Sequence, residues 1–288
     1  MSKNKTIIIS GSTGYVGSRI VQNLKNNKLN IVEIKRRDDS VYKWQNDEYL
    51  DSLFNDALTK SDTLEVMHVA TKYEPKPSYS EQLETNLLLP LKLIEFSLKY
   101  NVRRFINIDT FFTNTTKPNL YPRLPSYVLS KSQIKDWFIF FEKKINIINC
   151  KIFHVYGPGD SNKKFVNFFI QSLVDGNKKL ELSSCETIRD FIFIDDAILA
   201  LEKIILTNNL KYNDYDIGTG KGTSVKEFCL HAKRMLKSNT ELIFGKSSIH
   251  GDLDSQIADI TKLKELGWKP SYNISDGIDS IINLTINK

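Results

Sequence analysis

Apolar positions along the chain switch between two periods. Thr6-Ile7-Ile8-Ile9 is a short β-branched run, and Val16, Ile20, Val21 and Leu24 behind it fall on one face of a helix, with Gly11, Gly14 and Gly17 between the two. Residues 30–34 (Ile31, Val32, Ile34) predict a second strand, 41–47 a short third, and 48–58 a helix. Residues 65–70, EVMHVA, predict a fourth strand, with His68 packed inside it. Residues 82–100 predict a helix with Leu83, Leu87, Leu91, Ile94 and Leu98 on one face, and Pro90 is set to kink it. A fifth strand at 104–108, a helix at 126–142 and a sixth strand at 145–155 follow, and the polar, proline-bearing stretches 71–80 and 114–125 read as loops. Strands alternating with helices in this way predict an α/β fold built on a Rossmann, doubly wound parallel sheet.

The rest is mixed. Helices are expected at 163–174, at 195–206 with Asp195 or Asp196 as N-cap, and at 257–266, stopped by Gly267. Another is expected at 223–236, with Ser224 and Glu227 in capping-box spacing. Extended pieces are expected at 189–194 and 215–219. No linker separates two halves. Residues 1–155, with about 190–225 returning, are assigned to the Rossmann domain, and 156–189 with 226–288 to a smaller mixed α/β C-terminal lobe.

Composition narrows this picture only slightly. The chain has 288 residues, of which 41% are hydrophobic and 26% charged, which fits one large or two small globular domains with a sizeable core. Its start lacks an apolar segment ending in a small-residue cleavage site, and no apolar run is long enough to span a bilayer, so a cytoplasmic protein without membrane contact is expected. Cys150, Cys185 and Cys229 are odd in number and widely spaced, which fits reduced, buried filler; no metal site is expected. The net charge of +6 is spread out, a mild field that suits anionic ligands, and no basic stripe with interleaved aromatics points to nucleic acid.

The glycines carry the first chemistry. A buried strand, a glycine turn and a helix N-terminus form a diphosphate site, in which the backbone of Gly14, Tyr15 and Val16 would cradle a pyrophosphate. Gly11 permits the turn, and Gly17 lets the helix pack close. The second strand ends in Lys35-Arg36-Arg37, where an acid would hold a free ribose 2′-hydroxyl and arginines accommodate a 2′-phosphate. NADP(H) is therefore favoured over NAD(H), with Asp38 or Asp39 as alternative ribose ligands. Tyr127 and Lys131 form Y-x-x-x-K, which places both side chains on one helix face. An ammonium beside a phenol lowers its pKa, so that the phenol can exchange a proton with a substrate oxygen. Thr110, at the end of the fifth strand, can hydrogen-bond that same oxygen. Alone, Y-x-x-x-K is common by chance; behind a glycine turn and a strand-end hydroxyl it is specific.

The segments SGSTGYVGS, EVMHVA, FINIDT, YVLSK, HVYGPGD, RDFIFIDD, DIGTG and ADITKLKELGW run in order through nearly the whole chain. In them the chain resembles the extended short-chain dehydrogenases/reductases of the NAD-dependent epimerase/dehydratase family. The resemblance implies a nucleotide-diphosphate sugar substrate and Thr110, Tyr127 and Lys131 as the catalytic set. The cofactor contacts expected are Gly11, Thr13, Gly14, Tyr15, Val16, Gly17, Arg36, Arg37, Val69, Ala70, Tyr127, Lys131 and Phe153, of which the resemblance supplies Phe153, flanking the nicotinamide. Tyr73, Thr110, Phe111, Tyr127, His154 and Arg189 would meet the substrate, with Arg189 on its diphosphate. It also implies a homodimer joined through the helices at 82–100 and 126–142, although Ile134, Phe138 and Phe141 could equally pack on the sheet.

Three departures matter. The 4,6-dehydratases carry Thr-Asp-Glu where this chain has Asp109-Thr110-Phe111, so it lacks the acid-base pair for water elimination. His154 stands where Asn is commoner, and Ile249-His250-Gly251-Asp252 lacks the usual Arg. INIDTFF, YVLSK and FHVYGPGD are most similar to the CDP-4-keto-3,6-dideoxyhexose reductases, the CDP-abequose and CDP-paratose synthases. The expected activity is NADPH-dependent reduction of the C4 keto group of a nucleotide-linked deoxysugar in surface-polysaccharide synthesis. The alternatives are a nucleotide-sugar 4-epimerase with tightly held NAD and, remotely, a non-catalytic dinucleotide-binding protein.

Overall fold

The computed structural model describes residues 5–35, 43–73, 78–114, 124–245 and 256–286. They fall into two compact units, Met1–Lys151 with Leu201–Tyr215, and Ile152–Ala200 with Asp216–Lys288.

The first unit is organised by strands β1 (Lys5–Ser10), β2 (Asn30–Ile34), β3 (Thr63–His68), β4 (Arg104–Thr110) and β5 (Ile147–Ile152). A last strand, β10 (Asp214–Ile217), joins them, and the order across the sheet is β10-β5-β4-β3-β1-β2. Strand β1 runs parallel to both neighbours, with Ile7 opposite Ile31 on one side and Glu65 on the other. Strand β3 pairs parallel with β4, His68 opposite Asn107. The chain leaves β1 for β2 on one side and returns to β3 on the other, so the sheet switches direction at β1/β3, where open α/β sheets bind ligands beyond the strands' carboxyl ends. Strand β4 runs three residues past that register to Thr110.

Helices α1 (Tyr15–Asn26), α2 (Asp47–Lys60), α4 (Leu89–Lys99) and α5 (Pro125–Phe141) belong to this unit. Asn46 caps α2 by accepting from the Tyr49 amide. Ile8, Val66, Phe105 and Ile147 share one core with Leu50 and Phe54 of α2, Leu93 and Ile94 of α4, and Ile134 and Phe138 of α5. Each such side chain contributes roughly 1.5–3 kcal/mol on burial. Ile134 and Phe138 therefore face the core.

Two expectations change here. Instead of a strand over 41–47, Lys43–Gln45 is a 3-10 turn that buries Trp44; residues 41 and 42 lie outside the described residues. The helix expected over 82–100 begins as α3 (Tyr79–Leu83) and widens into π geometry over Glu84–Leu88, where the Leu89 amide reaches back to the Glu84 carbonyl. The cause is Pro90, which has no amide for the Asn86 carbonyl and whose ring crowds it.

In the second unit the expected sixth strand is broken. It ends as β5, and His154–Tyr156 (β6) pairs separately with Phe191–Phe193 (β9). Lys179–Glu181 (β7) pairs with Glu241–Ile243 (β12), and Ile188–Arg189 (β8) with Thr223–Ser224 (β11). Around them lie α6 (Phe165–Val174), α7 (Ile194–Leu206, shared between the units), α8 (Val225–Met235), α9 (Thr261–Glu265) and α10 (Ile274–Ile286). The capping box forms as expected: Glu227 N–H donates to Ser224 Oγ at 3.1 Å and Ser224 N–H to Glu227 Oε2 at 3.0 Å. Asp195 and Asp196 lie inside the first turn of α7, and Asp196 instead accepts from the amides of Ser271 and Tyr272. Asp190 is fully buried and accepts from the amides of Thr219, Gly220 and Ala258, tying three segments to one carboxylate. All three cysteines are buried and unbridged, and Cys185 and Cys229, distant in sequence, are hydrogen-bonded thiols. Among the described residues no helix is long and apolar enough to cross a membrane, and no cluster of three metal-ligating side chains occurs.

Candidate active site

The turn after β1 is tight because Gly11 takes φ +76°, and a Cβ there would lie 2.4 Å from the Ala70 backbone nitrogen. The loop after β3 thus passes directly against the turn. Gly17 is equally constrained: its Cβ would lie 1.9 Å from the Gly11 carbonyl oxygen, so α1 sits on the turn itself. Gly14, at the N-cap, offers no side chain to the first amides of α1, and the first turn carries no acidic residue. Thr13 and Gly14 are exposed, while Tyr15 and Val16 are half-buried. These amides and the positive end of the helix dipole fit a diphosphate. Val69, buried, and Ala70, half-buried, line the neighbouring strand end, and the Ser10 hydroxyl lies 2.9 Å from His68 Nδ1 beneath it. Lys35 is exposed at the end of β2; Arg36, Arg37, Asp38 and Asp39, on which the choice of NADP(H) turned, lie outside the described residues.

Tyr127 meets Thr110 at the end of β4, and Lys131 reaches the same strand at the Ile108 carbonyl. Pro125 starts α5 at a position where its missing amide costs nothing. Tyr127 and Lys131, one turn apart, are both buried. Tyr127 is hydrogen-bonded to the hydroxyls of Thr110 and Thr71, with the Tyr73 ring 5.1 Å away and Phe112 edge-on at 6.4 Å. Phe111, expected at the substrate, is 3% exposed and packs on Phe112 at 4.0 Å, whereas Tyr73 is 38% exposed. Phe111 thus shapes the wall from behind, and Tyr73 presents an open face.

The expected lowering of the Tyr127 pKa by Lys131 is not what the structure shows. Burial first, and the Asp109 carboxylate second, raise the phenol well above its usual range, against the pull of the Thr110 and Thr71 hydrogen bonds. Lys131 donates to the Ile108 carbonyl at 2.8 Å, pinning α5 to β4. Burial lowers its pKa, and Asp109 acts in the opposite sense.

Sequence reasoning missed Asn86. Its carboxamide is fully buried in the π stretch; its oxygen accepts from the Lys72 amide (2.8 Å) and the Thr71 hydroxyl (3.2 Å). Its nitrogen donates to the Lys72 carbonyl and the Ser130 hydroxyl, both at 3.0 Å. One side chain thereby fixes the loop that presents Thr71 and Tyr73 and the helix that presents Tyr127. Its position four residues before Pro90 was the available signal, since a proline frees the carbonyl at that distance.

In the second unit, Phe153 is buried and its amide donates to the Ile217 carbonyl. His154 lies 5.8 Å from the Phe191 ring, and burial, then Arg189, push its imidazole below the usual range. Arg189 is buried beside it on β8. The run 249–252 lies outside the described residues.

A glycine turn at the switch point of a parallel sheet, with a hydroxyl–tyrosine–lysine set at the neighbouring strand end, defines an extended short-chain dehydrogenase/reductase, an oxidoreductase that uses a nicotinamide dinucleotide. The chain belongs to the NAD dependent epimerase/dehydratase family, which it matches over residues 7–218, and it is a nucleotide-sugar-modifying enzyme. It is 30% identical to CDP-abequose synthase of Salmonella typhimurium over 295 residues, covering 96% of this chain and 97% of that one. It is 23% identical to a putative UDP-glucose 4-epimerase of Methanocaldococcus jannaschii, covering 96% and 97%. In structure it is similar to UDP-glucose 4-epimerase of Thermotoga maritima with UDP-glucose (TM-score 0.78, 22% identity, 98% and 99% covered). A second neighbour is the Thermus thermophilus UDP-glucose 4-epimerase complex with NAD (TM-score 0.74, 19% identity, 97% and 98% covered).

Proposed function

We propose that this protein reduces the C4 keto group of a nucleotide-linked deoxysugar with NADPH, a CDP-4-keto-3,6-dideoxyhexose being the favoured substrate. The observation that carries this reading is the buried Tyr127 phenol, hydrogen-bonded to Thr110 at the end of β4 and so placed to hand a proton to an oxygen held there. A reductase must give a proton; an oxidation or epimerisation must first take one. The resemblance to CDP-abequose synthase supports the sugar class. Phe111, following Asp109-Thr110, supports reduction over dehydration, because no acid-base pair stands beside the hydroxyl.

Bound nicotinamide supplies the hydride to the C4 carbon. Thr110 holds the carbonyl oxygen, and Tyr127 passes its proton to that oxygen as the C–H bond forms, so that keto group, hydride and proton give an alcohol. An alkoxide is a far stronger base than a phenolate, so a phenol of raised pKa still transfers its proton downhill. Lys131 is assigned the ribose hydroxyls of the cofactor, and the backbone amides of Tyr15 and Val16 its diphosphate. Phe153 is assigned a nicotinamide face, and His154 and Arg189 the nucleotide sugar. On the sequence alone, Arg36 and Arg37 are assigned the 2′-phosphate.

Loss of nicotinamide absorbance with CDP-4-keto-3,6-dideoxyglucose tests this reading. NADPH should be preferred over NADH in kcat/KM, and Tyr127→Phe should lower kcat about 10²–10⁴-fold while the Kd for NADPH changes less than about threefold. NAD that copurifies with the protein, together with epimerisation needing no added cofactor, would establish a 4-epimerase instead.

A homodimer belongs to the same proposal. Leu83 and Leu88, and Leu129, Trp137 and Phe140 of α5, are exposed large apolar side chains on the two helical stretches expected to pair. Trp137→Glu should convert a sedimenting dimer to monomer, and an unchanged sedimentation coefficient would rule this face out.

A further inference from the structure

Asp109 is a buried carboxylate that the mechanism above does not use. It immediately precedes Thr110 on β4, and its side chain has no solvent exposure. Its Oδ2 accepts from the Asn149 carboxamide at 3.0 Å, and Asn149 in turn accepts from Asn107 at 2.7 Å. Thr113 Oγ1 lies 3.0 Å from the same oxygen and 2.8 Å from the Thr110 carbonyl, so one proton is shared between the two. The Lys135 ammonium stands 3.7 Å off and itself donates to the Thr113 carbonyl. Asp109 Oδ1 has no hydrogen-bond partner among the described residues. The network thus fixes one oxygen and the backbone of the catalytic hydroxyl, in a buried setting where charge acts at longer range than in water.

We propose that Asp109 is a positioning residue: its carboxylate holds the Thr110 backbone through Thr113 and, as a buried anion one residue from the catalytic hydroxyl, biases the site toward giving a proton rather than taking one. This rests on the reductase reading and deepens it. The groups around the pair are few. Tyr127 is faced by Asp109 from β4, by Tyr73 and the Thr71 hydroxyl from the loop after β3, and by the Thr110 hydroxyl. Asp109 is faced by Lys131 and Lys135 from α5 and by the Cys150 thiol from β5. Burial pushes that thiol up to about 12, so it stays neutral. His68 on β3 is held neutral by burial and by Lys131. Asp109 is thus the anion that acts on both catalytic groups, and in both it favours the protonated form. An enzyme that began with a tyrosinate would be hindered by a carboxylate in this place; one that begins with a phenol is helped.

Asp109→Asn keeps an oxygen for Thr113 and Asn149 and removes the charge. In that variant the alkaline limb of kcat/KM for reduction should move down by about one pH unit. Oxidation of the alcohol product with NADP at a fixed pH below that limb should rise about tenfold, because tenfold more phenolate is present. Asp109→Glu should restore the limb. Lys135→Met, which strips an opposing charge, should move it up. Tyrosinate absorbance, as the difference between each protein and its Tyr127→Phe counterpart, reads the same shifts without any sugar. Tyr127 should ionise about one pH unit lower in Asp109→Asn than in the parent. This titration separates the two proposals, since it can succeed where no keto sugar is turned over. A folded Asp109→Asn protein with an unmoved limb and unmoved titration overturns the assignment. Should that variant not fold, Asp109→Ser, which keeps a hydroxyl for Thr113 and also removes the charge, should show the same downward shift, and its absence overturns the assignment equally.

Discussion

The central sheet carries a buried carboxylate at each end, on adjacent strands. At the amino end Glu65 of β3 is ringed by cations: Lys5 Nζ at 3.2 Å, Arg104 Nε at 2.9 Å and Arg103 at 3.7 Å. Lys5 and Arg104 also donate to the Ile205 carbonyl, and Arg104 to that of Thr207, so the cluster ties β1, β3 and β4 to the C-terminal end of α7. At the carboxyl end Asp109 of β4 has no guanidinium beside it: Lys135 stands 3.7 Å off, Lys131 acts at longer range, and its hydrogen bonds come from neutral donors. Burying an ion costs several kcal/mol unless partners surround it. The amino end meets that cost with an excess of partners and serves the fold. The carboxyl end leaves it partly unmet, and the residual field falls on the two groups that move a proton.

The comparison breaks most strongly at Glu65. Glu65→Gln leaves Lys5 and Arg104 buried against a neutral amide, and breaking a buried pair costs about 3–5 kcal/mol. Tm should fall by about 10 °C, while the pH profile of any surviving activity at room temperature keeps its shape. Asp109→Asn should do the reverse, with a modest loss of stability and a displaced alkaline limb. If Glu65→Gln displaced the limb as far, the division of labour between the two ends would be lost.

How much of this was legible in the sequence depends on whether a feature is local. Strand β2 appears over the residues its pattern marked, and the Ser224–Glu227 box forms because spacing alone sets its geometry. Thr110, Tyr127 and Lys131 could be named because a strand end and an i, i+4 pair bring them together. Asn86 and Asp109 could not, because their importance lies in burial and in partners 15 to 44 positions away, such as Thr71, Ser130 and Asn149. The strand expected at 41–47 failed for a local reason: Trp44 is buried from a 3-10 turn, and Asn46 starts a helix directly behind it. Helix α10 was missed because ISDGIDSIINLTI is poor in strong helix formers. Tertiary packing overrides that propensity; at Gly277 a Cβ would lie 2.2 Å from Tyr156 Oη, so only glycine lets the helix approach.

A smaller effect sharpens the contrast from the site end. His68 is fully buried, its Nδ1 2.9 Å from the Ser10 hydroxyl and its Nε2 without a partner among the described residues. Burial, then Lys131, hold its pKa well below the ordinary 6.5. The folded protein therefore binds fewer protons at this position than the unfolded chain once the pH drops below about 6.5, and stability falls with falling pH until the folded pKa is reached. One such group contributes a slope of about 1.4 kcal/mol per pH unit. His154 in the second unit adds a slope of the same sign. His68→Gln, whose amide can keep the contact to Ser10, should flatten the dependence of urea-unfolding free energy between pH ~6.5 and ~5 by about one proton, with little change in stability at pH ~7.5. An unchanged slope would mean that His68 is protonated in the folded state, and the neutral environment described for the floor of the site would then be wrong.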